Sequence, residues 1–253
     1  MRTIVVDKIA SITQACGLGH EVRIATQDIP CDEGVVLVVE ILNNKSTYNT
    51  LELTSGRMAK VSKGDVIVHS GPLYAASEGF VAKTLSRFGV TYVDFPAGAT
   101  RIELDTVLEK AKAQAAANGG KVAMIYLESP ANPTNALVDV EAVRDARDAA
   151  LPECPIAIDN TFLGPLWARP LDQGADIVAY SLTKYVGGHS DLMMGSVSAA
   201  EPWHTRLRRT TQALGQVVAP DDAALALRGL RQTSPRMSLS ANLEYSDVEF
   251  DRE

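Results

Sequence analysis

Cysteine is scarce in this chain: three among 253 residues, at Cys16, Cys31 and Cys154. Their number is odd, their spacing wide, and no Cys-x-x-Cys pair or cysteine–histidine cluster occurs. A disulfide framework and a structural zinc are therefore not expected, and the thiols read as reduced ones in a cytoplasmic protein. Positive charge is also short, with 24 Lys and Arg against 31 Asp and Glu, a net charge of −7. Such a chain has no electrostatic reason to bind nucleic acid or an anionic membrane. The opening MRTIVVDKIA lacks the apolar core of a signal peptide. No apolar run reaches the roughly 18 residues of a membrane span.

What is there is an ordinary globular composition, 46% hydrophobic and 22% charged. It suits one large domain, alone or with a small appendage. Residues 1–68 show short β-like runs at 3–6, 21–25, 35–41, 50–53 and 65–68, separated by turn formers such as Gly17, Gly19, Pro30, Asn43 and Asn44. This predicts a small β-rich segment over 1–68. Beyond it the rhythm alternates. Helices are predicted at 77–88, closed by Gly89, at 102–117, at 140–150 with Asp139 as cap, at 203–214 and at 222–230. Strands are predicted at 91–95, 122–127, 156–159 and 177–181. Alternation of this kind predicts an α/β fold over 69–237, a mostly parallel sheet with helices on both faces. Residues 238–253 read as an acidic tail, since the last ten residues hold five acids and one Arg.

Three of the strands run into polar groups: Glu128 to Thr134, Asp159 to Thr161, and Ser181 to Tyr185. Ligands of parallel sheets bind at such carboxyl ends. A lysine in a desolvated, cationic site can lose its proton and form a Schiff base with an aldehyde. A carboxylate near a pyridine nitrogen keeps that nitrogen protonated. Lys184 and Asp159 are placed for these two tasks, and Ser181 and Thr183 can address one phosphate. Together they outline a pyridoxal 5'-phosphate (PLP) site. Each residue taken alone also has a plainer reading. Lys184 can be a solvated surface lysine, Asp159 a turn cap, Ser181 and Thr183 helix caps, and Glu128 a rim charge.

The run from about residue 63 to 237 resembles the Cys/Met-metabolism family of PLP enzymes, which includes cystathionine γ-synthase, the cystathionine lyases and methionine γ-lyase. The resemblance is carried by SGPLYAASE at 70–78, YLESPANPT at 126–134, AIDNTFLGPLWARPLDQGAD at 157–176, YSLTKYVGGHSDLMMG at 180–195 and LGQVVAPDDAALALRGLR at 214–231. It implies the large domain of a fold-type-I PLP enzyme. It also implies Lys184 as the lysine that carries PLP, Ser181 and Thr183 on its phosphate, and Asp159 on its ring nitrogen. Tyr74 is implied to stack on the ring and move protons, Asn132 to lie near the ring hydroxyl, and Glu128 to lie close to the same pocket. His189 belongs to the motif and is read as orienting the loop after Lys184. Trp167 and Trp203 read as core aromatics.

The resemblance further implies an amino-acid substrate, trans-sulfuration chemistry (β/γ-elimination or γ-replacement on cystathionine, methionine or O-acylhomoserine) and a homo-oligomer. The chain departs from the family at both ends. It has no Tyr-x-Arg motif, and Ser55-Gly56-Arg57-Met58 only partly matches the family's Ser-Gly-Met phosphate cup. No counterpart of the substrate-gripping arginine is expected among these 253 residues. The alternative expectation is therefore a truncated, inactive chain that binds PLP or associates with a fuller subunit.

Overall fold

A computed structural model describes residues 2–6, 61–213 and 215–238. The central sheet has the strands β1 (Arg2–Val6), β2 (Val66–Gly71), β3 (Thr91–Pro96), β4 (Val122–Glu128), β5 (Ile156–Asp159), β6 (Ile177–Ser181) and β7 (Gly195–Ala199). Among the described residues their order is β1-β7-β6-β5-β4-β2-β3. The pairs β2–β3, β2–β4, β4–β5 and β5–β6 are parallel. Strand β7 runs antiparallel to both β6 and β1.

The expected α/β architecture is present. Helices α1 (Ala75–Gly79), α2 (Arg101–Ala117), α3 (Val140–Ala150), α4 (Gly164–Trp167), α5 (Trp203–Ala213) and α6 (Pro220–Leu230) accompany the sheet. Side-chain alternation along each strand splits the core in two. On one face Val66, Val68, Leu127 and Ile158 pack with Leu104, Leu108 and Ala111 of α2 and Val143 and Ala146 of α3. On the other, Met124, Ala157, Ile177 and Val197 pack with Leu207 of α5. Ile67 packs there with Val81 and Leu85, which follow α1.

Local chemistry explains the element boundaries. Thr100 and Glu103 form a reciprocal capping box at the start of α2. The Asp139 carboxylate accepts the Ala142 N–H at the start of α3, as predicted. The helix predicted at 77–88 begins two residues earlier and changes pitch twice. After α1 the chain forms a π-turn at Phe80–Thr84 and a 3₁₀ turn at Leu85–Phe88. It ends on Gly89 at φ 75°, the left-handed conformation that favours glycine.

The boundary drawn at residue 68 falls inside β2, which pairs on both sides within the main sheet. The predicted runs at 21–25, 35–41 and 50–53, the Ser55–Met58 match and the acidic tail beyond residue 238 lie outside the described residues. Trp167 is corrected. It ends a four-residue helix at the protein surface and is 54% exposed, not a core aromatic. Trp203 is half-buried against the Met124 cluster, with the Arg206 guanidinium 4.9 Å from its ring centre. None of the described helices is long and apolar enough to cross a membrane.

Candidate active site

The five parallel strands point their carboxyl ends to one edge. The chain runs outward from β2 to β3, then returns to place β4 on the other side of β2. That reversal is a topological switch point, where open α/β sheets form their ligand crevice. Ser70 and the loop to Tyr74 leave β2 on one side of it, and Glu128 ends β4 on the other. Asp159 stands in register with Glu128, and Ser181 ends the next strand, β6. The three strand-end groups read from the sequence therefore come from three adjacent strands, about 4.8 Å apart.

Glu128 is buried, at 4% exposure. Its carboxylate accepts the Tyr74 N–H at 2.7 Å on Oε2 and the Asn132 N–H at 2.8 Å on Oε1. Its own N–H donates to the Ser70 hydroxyl at 3.0 Å. Burial pushes its pKa up to about 7; the two N–H contacts work against this, and the neighbouring Asp159 charge adds to it. Glu128 is thus less a rim charge than a knot between two loops. One carries Tyr74, half-buried at the N-cap of α1, and the other carries half-buried Asn132.

Asp159 keeps part of its surface open while its carboxyl is desolvated, which raises its pKa. Thr161 opposes that rise. Its hydroxyl and N–H donate to Oδ1 at 2.6 and 2.9 Å. The same hydroxyl oxygen accepts the Ser181 N–H at 2.8 Å. A continuous chain of hydrogen bonds therefore links the ends of β6 and β5. Sequence reasoning missed Thr161, although it stands two residues after Asp159 in an Asx-turn position.

Lys184 follows β6 in a tight turn. Its N–H donates to the Ser181 carbonyl at 3.1 Å, and its carbonyl accepts the Gly188 N–H at 2.7 Å. Its side chain is exposed at the same sheet edge. Ser181 is half-buried. The Thr183 hydroxyl is engaged with Met194, the residue before β7, donating to its carbonyl at 3.3 Å and accepting its N–H at 2.9 Å. His189 Nδ1 lies 2.7 Å from the Gly187 carbonyl, a loop-bracing contact. Among the described residues, no three His, Cys, Asp or Glu are grouped to hold a metal ion. Cys154 is buried behind the sheet, with its thiol pushed up to about 12 by burial.

A mostly parallel sheet with a desolvated strand-end acid, Asp159, and an exposed lysine after the next strand places the chain among α/β proteins whose functional groups gather at the carboxyl edge of the sheet. Comparison with known proteins supplies the family. Residues 45–244 match the Cys/Met metabolism PLP-dependent enzyme family, and the chain belongs to it. It is 36% identical over 189 residues to L-methionine gamma-lyase of Treponema denticola, covering 73% of this chain and 44% of that protein. It is 35% identical over 181 residues to cystathionine gamma-lyase of Homo sapiens, covering 69% and 40%. Its fold matches the crystal structure of cystathionine gamma-lyase from Lactobacillus plantarum complexed with L-serine, with a TM-score of 0.60 at 28% identity. That match covers 69% of this chain and 42% of the other. The chain thus spans less than half the length of the relatives it matches.

Proposed function

We propose that this chain carries the cofactor-binding part of a PLP-dependent enzyme that performs β- or γ-elimination, or γ-replacement, on cystathionine, methionine or O-acylhomoserine. The observation that carries this reading is the placement of a desolvated carboxyl, Asp159, at the end of β5 and an exposed amine, Lys184, just past the end of the adjacent parallel strand β6. When bound, PLP supplies an electron sink that stabilises negative charge on the amino acid's α-carbon and loosens a substituent further along.

The residues present fit that group. The Asp159 contacts described above all fall on Oδ1, which leaves Oδ2 to face a protonated ring nitrogen. A cation there would favour the ionised carboxylate and offset its desolvation. Lys184 would hold the aldehyde carbon through Nζ and, once displaced by substrate, carry a proton between neighbouring substrate carbons. Tyr74 would cover one ring face, and Asn132 would meet the ring hydroxyl. Glu128 would set both loops through their backbone N–H groups. Ser181 would take the phosphate. Thr183 would support it by holding the turn against Met194.

The test is a titration of the purified chain with PLP, followed by borohydride reduction and peptide mass spectrometry. A visible absorption band and an adduct on Lys184 are expected, and Lys184→Ala should lose both. A band that survives in Lys184→Ala, or an adduct confined to another lysine, removes Lys184 from its role. Keto-acid release from the three substrates, and thioether formation from O-acylhomoserine and a thiol, then test turnover. A second reading, a chain that binds PLP or a fuller subunit without turnover, draws support from the commitment of the Thr183 hydroxyl to Met194. It requires the absence of both products, with the Lys184 adduct if the chain binds PLP and without it if the chain only joins a fuller subunit.

A further inference from the structure

We propose that Arg236 is a positioning residue that fixes the turn of Lys184; the proposal rests on the cofactor reading above for its function and on geometry for its contacts. Lys184 is separated from Arg236 by about 50 residues of chain, and nothing in its spacing suggests a link. In the fold, the segment after α6 returns beneath the lysine turn. The Arg236 guanidinium donates from Nε and Nη2 to the Tyr185 carbonyl at 3.1 and 2.9 Å. Nη2 also reaches the Val186 carbonyl at 2.9 Å and the Gly229 carbonyl at 2.7 Å.

Tyr185 and Val186 are the two residues that follow Lys184. Among the described residues, Arg236 is the donor that reaches both of their carbonyls. Hydrogen bonds from a charged donor are stronger than neutral ones, and a carbonyl stripped of its donor in a half-buried site keeps its desolvation cost. One planar fork thus fastens the turn to the end of α6.

The packing around the fork is built for close approach. A Cβ placed on Gly188 would meet the Arg236 Nε at 2.3 Å, and Gly188 sits at φ +67°. A Cβ placed on Gly229 would meet the Val186 carbonyl oxygen at 2.1 Å. Two more contacts seat α6 and the segment after it on the site edge. Met237, 2% exposed, lies against Gly164 at the start of α4. Arg228 pairs with Asp191 in the loop after Lys184, an exposed contact that adds little by itself. Removing the guanidinium frees the turn whose backbone aims the lysine, while the sheet and α2 are untouched.

Two measurements on the full chain test this. The first is amide hydrogen exchange without cofactor, comparing wild type, Arg236→Ala and Arg236→Lys. Arg236→Ala should speed exchange at Gly187 and Gly188 at least ten-fold and leave α2 unchanged. Arg236→Lys keeps the charge without the fork and should fall between. Wild-type protection of Gly187 and Gly188 in either variant overturns the proposal. If Arg236→Ala does not fold, Arg236→Lys alone decides. The second is the initial rate of borohydride-fixed PLP labelling at Lys184, expected to fall about ten-fold in Arg236→Ala. Labelling at the wild-type rate in that variant also overturns the proposal. A wild type that takes no label at Lys184 defeats the cofactor reading instead, and the exchange comparison still decides whether Arg236 holds the turn.

Discussion

The Glu128 carboxylate accepts the backbone N–H of Tyr74 at 2.7 Å across 54 residues of chain. That bond closes the switch-point crevice from both sides, because the second oxygen holds Asn132. Its energetics depend on pH. The folded-state pKa is raised from the ordinary 4.5 to about 7, so the folded chain binds this proton more tightly than the unfolded chain. The stability it contributes is full below pH 4.5 and is lost as pH rises through 7. The loss is on the order of 3 kcal/mol from the size of the shift. Cofactor-free wild type should therefore melt at a lower temperature at pH 8 than at pH 5. Glu128→Gln cannot titrate and should flatten much of that slope, with the remainder left to Asp159, which is shifted in the same direction. An undiminished slope in Glu128→Gln would show that this carboxyl is not the source.

Asp159 and Thr161 form a unit, and their variants should separate two effects. Asp159→Asn removes the charge that would face a ring nitrogen and should weaken PLP retention at least ten-fold. Thr161→Val keeps the shape and deletes the hydroxyl that donates to Oδ1 and accepts from Ser181. With that opposing contact gone, the Asp159 pKa should rise further. PLP retention in Thr161→Val should then fall most at low pH and recover as pH rises. Equilibrium dialysis across pH measures it. Equal, pH-independent weakening in both variants would contradict the link.

Thr183 should matter before any cofactor arrives. Its hydroxyl accepts the N–H of Met194, which is 1% exposed, and shares the Met194 carbonyl with the Thr183 N–H. Thr183→Val leaves a buried N–H unpaired and should cost about 1–3 kcal/mol in urea unfolding without PLP. Thr183→Ser should restore most of it. A Thr183→Val chain as stable as wild type would return this hydroxyl to the phosphate alone.

The strands that build the site were legible because each is an apolar run ending in a polar residue: Val122 to Glu128, Ile156 to Asp159 and Ile177 to Ser181. Asp139 was legible as a cap because capping is local. Strand β7 was not, since Gly195, Ser196, Val197, Ser198 and Ala199 carry little hydrophobic signal, although all five are buried. Its identity comes from pairing with β6, a tertiary fact. The same limit applies within the site. Residue types at strand ends named Glu128, Asp159 and Lys184. The partners that hold them, Thr161 bridging two strands and Arg236 reaching back under the lysine turn, exist only once the sheet has formed. Trp167 failed in the opposite direction. Its size suggested the core, but it closes a helix too short to bury it.

Two glycines should respond oppositely to alanine. Gly79 has helical backbone angles, φ −60° and ψ −35°, and a Cβ there meets nothing within 4 Å. Gly79→Ala should be neutral or stabilise by about 0.5–1 kcal/mol, because it narrows the unfolded ensemble without strain. Gly229 also lies in a helix, where alanine is intrinsically preferred, so local propensity alone predicts a gain. Packing predicts a loss. The added methyl would meet the Val186 carbonyl oxygen at 2.1 Å and that of Gly187 at 2.7 Å, both backbone atoms that cannot rotate away. Overpacking of this kind costs about 1–3 kcal/mol, more than the propensity term returns. Gly229→Ala should therefore lower the urea midpoint while Gly79→Ala holds or raises it. The local signature matters more than the sum. Gly229→Ala should speed amide exchange at Gly187 and Gly188 as Arg236→Ala does, because both variants lift α6 from the lysine turn. A Gly229→Ala chain with wild-type exchange there would mean that α6 does not bear on that turn.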